Sequence, residues 1–152
     1  MKSEAEKYLR DHEEPYDRIL LDAPCSAEGR ISTKNEKTYG FWSLQNIEKK
    51  SELQYTLLEA SVRRLAPNGV LLYSTCTFAP EENEAVISRI LASDPSLELI
   101  ALTESIPDSI PHISGIQTFQ GKIFSEDIEK TVRILPSRYT EGFYMAKIQK
   151  RK

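Results

Sequence analysis

Cysteine, histidine and tryptophan are scarce in this chain of 152 residues, which holds two, two and one of them. Cys25 and Cys76 stand far apart, and the N-terminus, Met1-Lys2-Ser3-Glu4-Ala5-Glu6-Lys7, has no apolar stretch of the kind that directs secretion. A disulfide scaffold is therefore excluded, and cytoplasmic placement is the expectation. Two thiols with His12 and His112 in unrelated contexts make no tetrahedral metal set, so no metal site is expected. The six glycines, Gly29, Gly40, Gly69, Gly115, Gly121 and Gly142, are scattered, so no glycine-rich loop for phosphates or a cofactor is assembled from them. No apolar run approaches the roughly 18 residues that span a bilayer, which excludes a membrane helix. A basic excess is missing too: formal charge is −3 and the pI about 5.5. Holding long nucleic acid by phosphate neutralisation alone is excluded, and basic groups are only local, at Arg30, Lys34 and Lys37 and again at Lys147, Lys150, Arg151 and Lys152.

What is present, 39% hydrophobic and 28% charged residues, is the composition of a globular protein, and the length suits one domain over residues 1–152. Residues 1–14 are charged and helix-compatible up to Pro15. Arg18-Ile19-Leu20-Leu21, ending at Asp22-Ala23-Pro24, predicts a short buried strand, and residues 29–41 a surface loop long enough to be functional. Leu44, Ile47, Leu57, Leu58, Val62 and Leu65 recur at helical spacing, predicting an amphipathic helix from Ser43 to about Ala66, stopped by Pro67-Asn68-Gly69. Val70-Leu71-Leu72-Tyr73-Ser74 predicts a strand buried on both faces, with Thr75-Cys76-Thr77 at its end. Pro80 with Glu81, Glu82 and Glu84 predicts a helix start, followed by a stripe of Val86, Ile87, Ile90 and Leu91. A strand over Leu97–Leu102, an irregular stretch over 103–130, and a hairpin formed by Thr131–Leu135 with Gly142–Gln149 complete the pattern. The order predicts an α/β fold with parallel crossovers that ends in an antiparallel hairpin.

Ligands of open sheets gather beyond the C-terminal strand ends, where both cysteines fall on adjacent strands. Taken singly, a cysteine is more often a small buried apolar residue, and a helix or turn cap is the plainer, less favoured reading of Asp22. The combination is more specific. Asp22-Ala23-Pro24-Cys25-Ser26, and Ser74-Thr75-Cys76-Thr77 followed by Pro80-Glu81-Glu82-Asn83-Glu84, resemble the paired cysteine motifs of the Sun/Nop-type RNA cytosine (5-methylcytosine) methyltransferases. The approach through Leu65-Ala66-Pro67-Asn68-Gly69 and the ending Glu141-Gly142-Phe143-Tyr144-Met145-Ala146-Lys147 resemble that family as well, so the likeness covers about residues 16–148.

The resemblance implies S-adenosylmethionine-dependent methylation of cytosine carbon-5 in ribosomal or transfer RNA, on a Rossmann-like fold of which this chain carries the C-terminal half. It implies Cys76 as the nucleophile, because carbon-5 becomes reactive only after a thiolate has added to carbon-6. A lowered Cys76 pKa, set by the helix opening at Pro80, is the matching expectation. Cys25 then corresponds to the cysteine that assists product release, Asp22 to an acidic residue near cofactor and base, and Pro24 to the residue that fixes the backbone presenting Cys25. Tyr73, Phe78, Phe41 and Trp42 are candidates to stack on a flipped base, with core packing as their plainer role.

The family's glycine loop and the acidic residues that hold the cofactor's ribose and adenine have no counterpart here. The chain is accordingly expected to be a partial methyltransferase domain, weak or inactive alone and binding the cofactor weakly or not at all. A partner half, or a second copy, is expected at the unpaired edge of the strand ending at Asp22. Two other readings compete: a noncatalytic RNA-binding or assembly module on the same fold, and a thiol redox protein, which lacks the close Cys-x-x-Cys spacing.

Overall fold

The computed structural model describes residues 14–152, so the helix expected over 1–14 lies outside the described residues but for its last position. The chain begins with β1 (Tyr16–Asp22) and continues through α1 (Leu44–Arg63), β2 (Leu65–Thr75), α2 (Glu84–Ser93) and β3 (Leu97–Ile100). It then runs through β4 (His112–Ser114), β5 (Thr118–Phe119), β6 (Lys122–Ile123), β7 (Val132–Ile134) and β8 (Phe143–Lys150). Helix α1 starts where Ser43, in extended conformation, accepts the backbone N–H of Asn46 at 3.1 Å. Its buried side chains Ile47, Leu57, Leu58 and Val62 form the apolar stripe that the spacing predicted. Val86, Ile87 and Ile90 of α2 do the same, and both helices pack on the face of the sheet that carries Leu71, Tyr73, Ala146 and Ile148.

The six-stranded sheet runs β1-β2-β8-β7-β4, with β3 also on β8. β1 and β2 are parallel, with Asp22 opposite Ser74, so the two cysteine-bearing segments leave the sheet side by side as expected. β7 and β8 form the expected terminal hairpin, Val132 facing Met145 and Ile134 facing Phe143. Three expectations change. β3 pairs antiparallel with β8, not parallel with its predecessors, because β8 lies antiparallel beside β2 and leaves β3 the end of its other edge. Pro67-Asn68-Gly69 does not separate helix from strand; it lies inside β2, where Asn68 takes φ 62° and the register against β1 slips between Tyr16 and Arg18. β1 is not a buried strand: it has one neighbour among the described strands, and Leu20 is 71% exposed on a face that no described element covers. Within the irregular stretch, β4 and the β5–β6 hairpin supply the only regular pairing among the described residues, and Ile128 and Phe124 reach the core. No described helix is long and apolar enough to cross a membrane.

Candidate active site

At the shared end of β1 and β2, Ser74 Oγ donates to Asp22 Oδ1 at 2.9 Å, joining the two strand ends through side chains. The chain turns immediately after each, and the turns bring Cys25 Sγ to 3.2 Å from Cys76 Sγ. The backbone N–H of Cys76 also donates to Cys25 Sγ at 3.3 Å. Cys76, Cys25 and Asp22 therefore converge, while Pro24 contributes backbone, its carbonyl accepting from Gln54 Nε2 at 3.1 Å. Among the described residues no group of three or more His, Cys, Asp or Glu is arranged to hold a metal ion.

The two thiols do not titrate alike. The hydrogen bond from the Cys76 thiol, reinforced by backbone N–H groups and opposed by burial, lowers the Cys25 pKa to about 7. Cys76 moves the other way, upward, first because its thiol donates to Cys25, then because of burial and the Cys25 charge; the Arg30 guanidinium draws it back in part. This reverses the expectation of an acidified Cys76. The helix credited with that effect begins at Glu84, past a turn, and a thiol 3.2 Å away is a closer and stronger influence. The pair behaves as one group that gives up its first proton near neutrality and holds the second tightly. In its singly ionised form the pair holds one proton between sulfurs 3.2 Å apart, and either sulfur can be its donor.

Several residues that frame the thiols carry no mark in the sequence that would set them apart from surface polar groups. Ser26 Oγ and Thr77 Oγ1 lie 2.7 Å apart and tie the two turns together. The N–H of Gly29 donates to the Cys76 carbonyl at 2.9 Å, and a Cβ on Gly29 would strike the carbonyl of Gly142, so three loops meet where only hydrogen fits. Arg30 Nε pairs with Glu141 Oε2 at 2.8 Å on the surface beside the thiols. Trp42 Nε1 donates to Glu28 Oε1 at 2.6 Å, and Glu28 Oε2 accepts from Thr77 Oγ1 at 3.2 Å, so Glu28 links the indole to the residue that follows Cys76. The clearest signal that was passed over is Glu82-Asn83-Glu84, whose acidic character suggests solvent although all three are fully buried.

Of the four aromatic candidates, Tyr73 is removed: it is wholly buried and its hydroxyl donates to the Glu82 carbonyl at 2.7 Å. Phe78 is partly buried, whereas Phe41 and Trp42 are 54% and 45% exposed. Asp22 offers one exposed carboxylate, and a Cβ on Gly29, Gly69, Gly115 or Gly142 would meet protein atoms, so these glycines serve the packing of the chain on itself, whereas Gly121 lies in open space.

A family model described as 16S rRNA methyltransferase RsmB/F matches residues 2–149. The tRNA (cytosine(49)-C(5))-methyltransferase of Pyrococcus abyssi is 42% identical over 145 residues, which cover 94% of this chain and 44% of that protein. The ribosomal RNA small subunit methyltransferase F of Aeromonas salmonicida is 36% identical over 139 residues, 90% of this chain and 26% of its own length. The chain thus spans less than half of either relative. Among solved structures, a methyltransferase homolog protein from Pyrococcus horikoshii superposes with TM-score 0.77 at 33% identity, over 94% of this chain and 42% of that one. NSun6 from Pyrococcus horikoshii, solved with SFG, superposes with TM-score 0.71 at 31% identity, over 98% of this chain and 33% of that one.

Proposed function

From the membership of this chain in the RsmB/F methyltransferase family, which the match over residues 2–149 establishes, we propose that it is the base-activating part of an S-adenosylmethionine-dependent RNA (cytosine-5) methyltransferase. One observation carries the reading: two thiols 3.2 Å apart, at the ends of adjoining parallel strands, with a carboxylate beside them. Cys76 is the nucleophile. As its sulfur bonds to cytosine carbon-6, its proton passes to the Cys25 thiolate, so the charge moves to the attacking sulfur only when a base is present to receive it. Asp22, held by Ser74, is placed to bond the cytosine edge and help the ring accept the electron pair. S-adenosylmethionine would supply the methyl group. After transfer a base such as water takes the carbon-5 proton, the sulfur–carbon-6 electron pair returns to Cys76, and the Cys25 thiol, protonated in the first step, assists release by handing its proton back to that sulfur.

The substrate class is RNA, ribosomal or transfer, as the relatives' names suggest. Phe41 and Trp42 are exposed, Trp42 is linked through Glu28 to Thr77, and Arg30, Lys34 and Lys37 lie in the same loop region, which suits a stacked base and its phosphates better than the acidic chain as a whole does. A second polypeptide or a second copy would pair with the edge of β1 that no described strand covers. The competing reading is a noncatalytic RNA-binding or assembly module. The two separate in one assay. Mixed with S-adenosylmethionine, RNA containing 5-azacytidine and a relative's cofactor-binding segment, the chain is expected to form a covalent protein–RNA complex; its absence overturns the catalytic reading. A calorimetric titration of the chain alone with S-adenosylmethionine is expected to show no measurable heat of binding, and micromolar binding would refute the partial-site reading.

A further inference from the structure

Glu82 is fully buried, yet it sits in a charged run. Its Oε2 accepts the backbone N–H of Ser26 at 3.0 Å and Gln54 Nε2 at 2.7 Å. The same Gln54 nitrogen donates to the Pro24 carbonyl at 3.1 Å. Both peptide groups that flank Cys25 are thus tied to one buried carboxyl–amide pair, which bridges the turn to helix α1. Next along the chain, Asn83 ties together the two residues on either side of Cys76. Thr75 Oγ1 donates to Asn83 Oδ1 at 2.6 Å, and Asn83 Nδ2 donates to the Thr77 carbonyl at 3.0 Å. Two consecutive side chains therefore each hold one thiol-bearing turn from both sides.

We propose that Glu82 and Asn83, with Gln54, are positioning residues that fix the separation of Cys25 and Cys76. The inference rests on the reading that both thiols act on one base. Burying adjacent polar side chains is unfavourable unless their bonds are made, and a structural plug would use apolar groups here. Glu82 Oε1 and Gln54 Oε1, both acceptors, have no partner. A protonated Glu82 supplies the donor that such a site lacks, and burial does push its carboxyl pKa up. The neutral form also places no second anion beside the Cys25 thiolate. A glutamine at position 82 keeps the acceptor for Ser26, gains a donor and carries no charge, so Glu82→Gln should preserve the clamp. Gln54→Met keeps size and removes the bond to Pro24 while leaving the helix intact.

The test reads thiol proximity without RNA or cofactor: the equilibrium constant for closing Cys25 and Cys76 into a disulfide in a glutathione buffer. Each closure consumes one glutathione disulfide and releases two glutathione thiols. Glu82→Gln is expected to stay within about twofold of wild type, and Gln54→Met and Glu82→Ala to fall about tenfold or more. Ile128→Val, a core change at a residue whose side chain makes no bond to the clamp, controls for general loosening and should leave the constant unchanged. If Gln54→Met keeps the wild-type constant, or Ile128→Val lowers it as far as Gln54→Met does, the clamp is refuted. Because covalent RNA capture is not measured, the clamp and the methyltransfer reading stand or fall separately.

Discussion

Cys76→Ala should lose the covalent complex with 5-azacytidine RNA entirely, while Cys25→Ala should accumulate a complex even on ordinary cytosine RNA. The opposition follows from the two roles. Without Cys76 no sulfur is placed to bond carbon-6, and since adduct formation is all or none the expected loss is at least about a thousandfold, the size seen when a covalent nucleophile is removed. Without Cys25 the adduct still forms, because the neighbour chiefly responsible for raising the Cys76 pKa is gone and the Arg30 charge remains. What is lost is the group beside the sulfur that assists release. Denaturing gels of protein and labelled RNA separate the outcomes. A complex that survives in Cys76→Ala, or a Cys25→Ala variant that turns over without trapping, would reverse or remove the assignment.

The same pair makes a pH prediction whose direction is set by the shared proton. In wild type the thiolate appears as the first proton leaves near pH 7, so iodoacetamide labelling should rise tenfold per unit below that value and level off above it. In either single-cysteine variant the partner is gone, and the midpoint should move up toward the ordinary thiol value of ~8.5. Labelling of the wild-type pair that titrates with that same ordinary midpoint would mean that the two sulfurs do not share a proton.

How much of this was legible beforehand depended on whether the cause was local. The strand ends at Asp22 and Ser74 were readable because an apolar run bounded by turn residues describes a strand without reference to anything else, and Ser43 announced its helix by the capping chemistry of its own hydroxyl. The terminal hairpin was readable because its strands are close in sequence. The place of β8 between β2 and β7 was not, since it depends on which distant edge is free when the chain closes, and no residue of Phe143–Lys150 encodes that by itself. Leu20 looked like core for the same reason. Its apolar neighbours describe a strand, but its burial depends on what covers the strand.

The site shows the same division. Convergence of Cys25 and Cys76 followed from two strand ends, but their order of ionisation depends on a sulfur–sulfur distance, which sequence does not contain. Glu82 and Glu84 misled because a cluster of carboxylates before a helix has a sufficient local explanation in the dipole. That explanation serves Glu84, which lies in the first turn of α2, but it gave no reason to expect full burial of either residue.

Glu84 leads to the second large effect. Its carboxylate receives Arg133 Nε at 2.6 Å and Nη2 at 2.5 Å in a two-pronged pair, while Arg133 Nη1 donates to the Phe78 carbonyl at 3.0 Å and the Ile116 N–H donates to Glu84 Oε1 at 3.1 Å. With side-chain exposures of 0% and 9%, the pair ties α2 to β7 and to the loop that follows Cys76. Removing either partner leaves an uncompensated charge in the interior, so Glu84→Ala and Arg133→Met are each expected to destabilise the fold by about 3–5 kcal/mol. In a chain of this size that lowers the melting temperature by roughly 6–20 °C. The pair itself need not be worth that much, because desolvating two charges offsets most of their attraction. Glu84→Met combined with Arg133→Leu should therefore recover more than half of the single-variant loss. The recovery stays incomplete, since the Phe78 carbonyl and the Ile116 N–H lose their partners. Thermal unfolding of the two single variants and the double variant decides it: single losses under about 1 kcal/mol would show that solvent reaches the pair, and a double variant worse than either single would show that the charges are net stabilising.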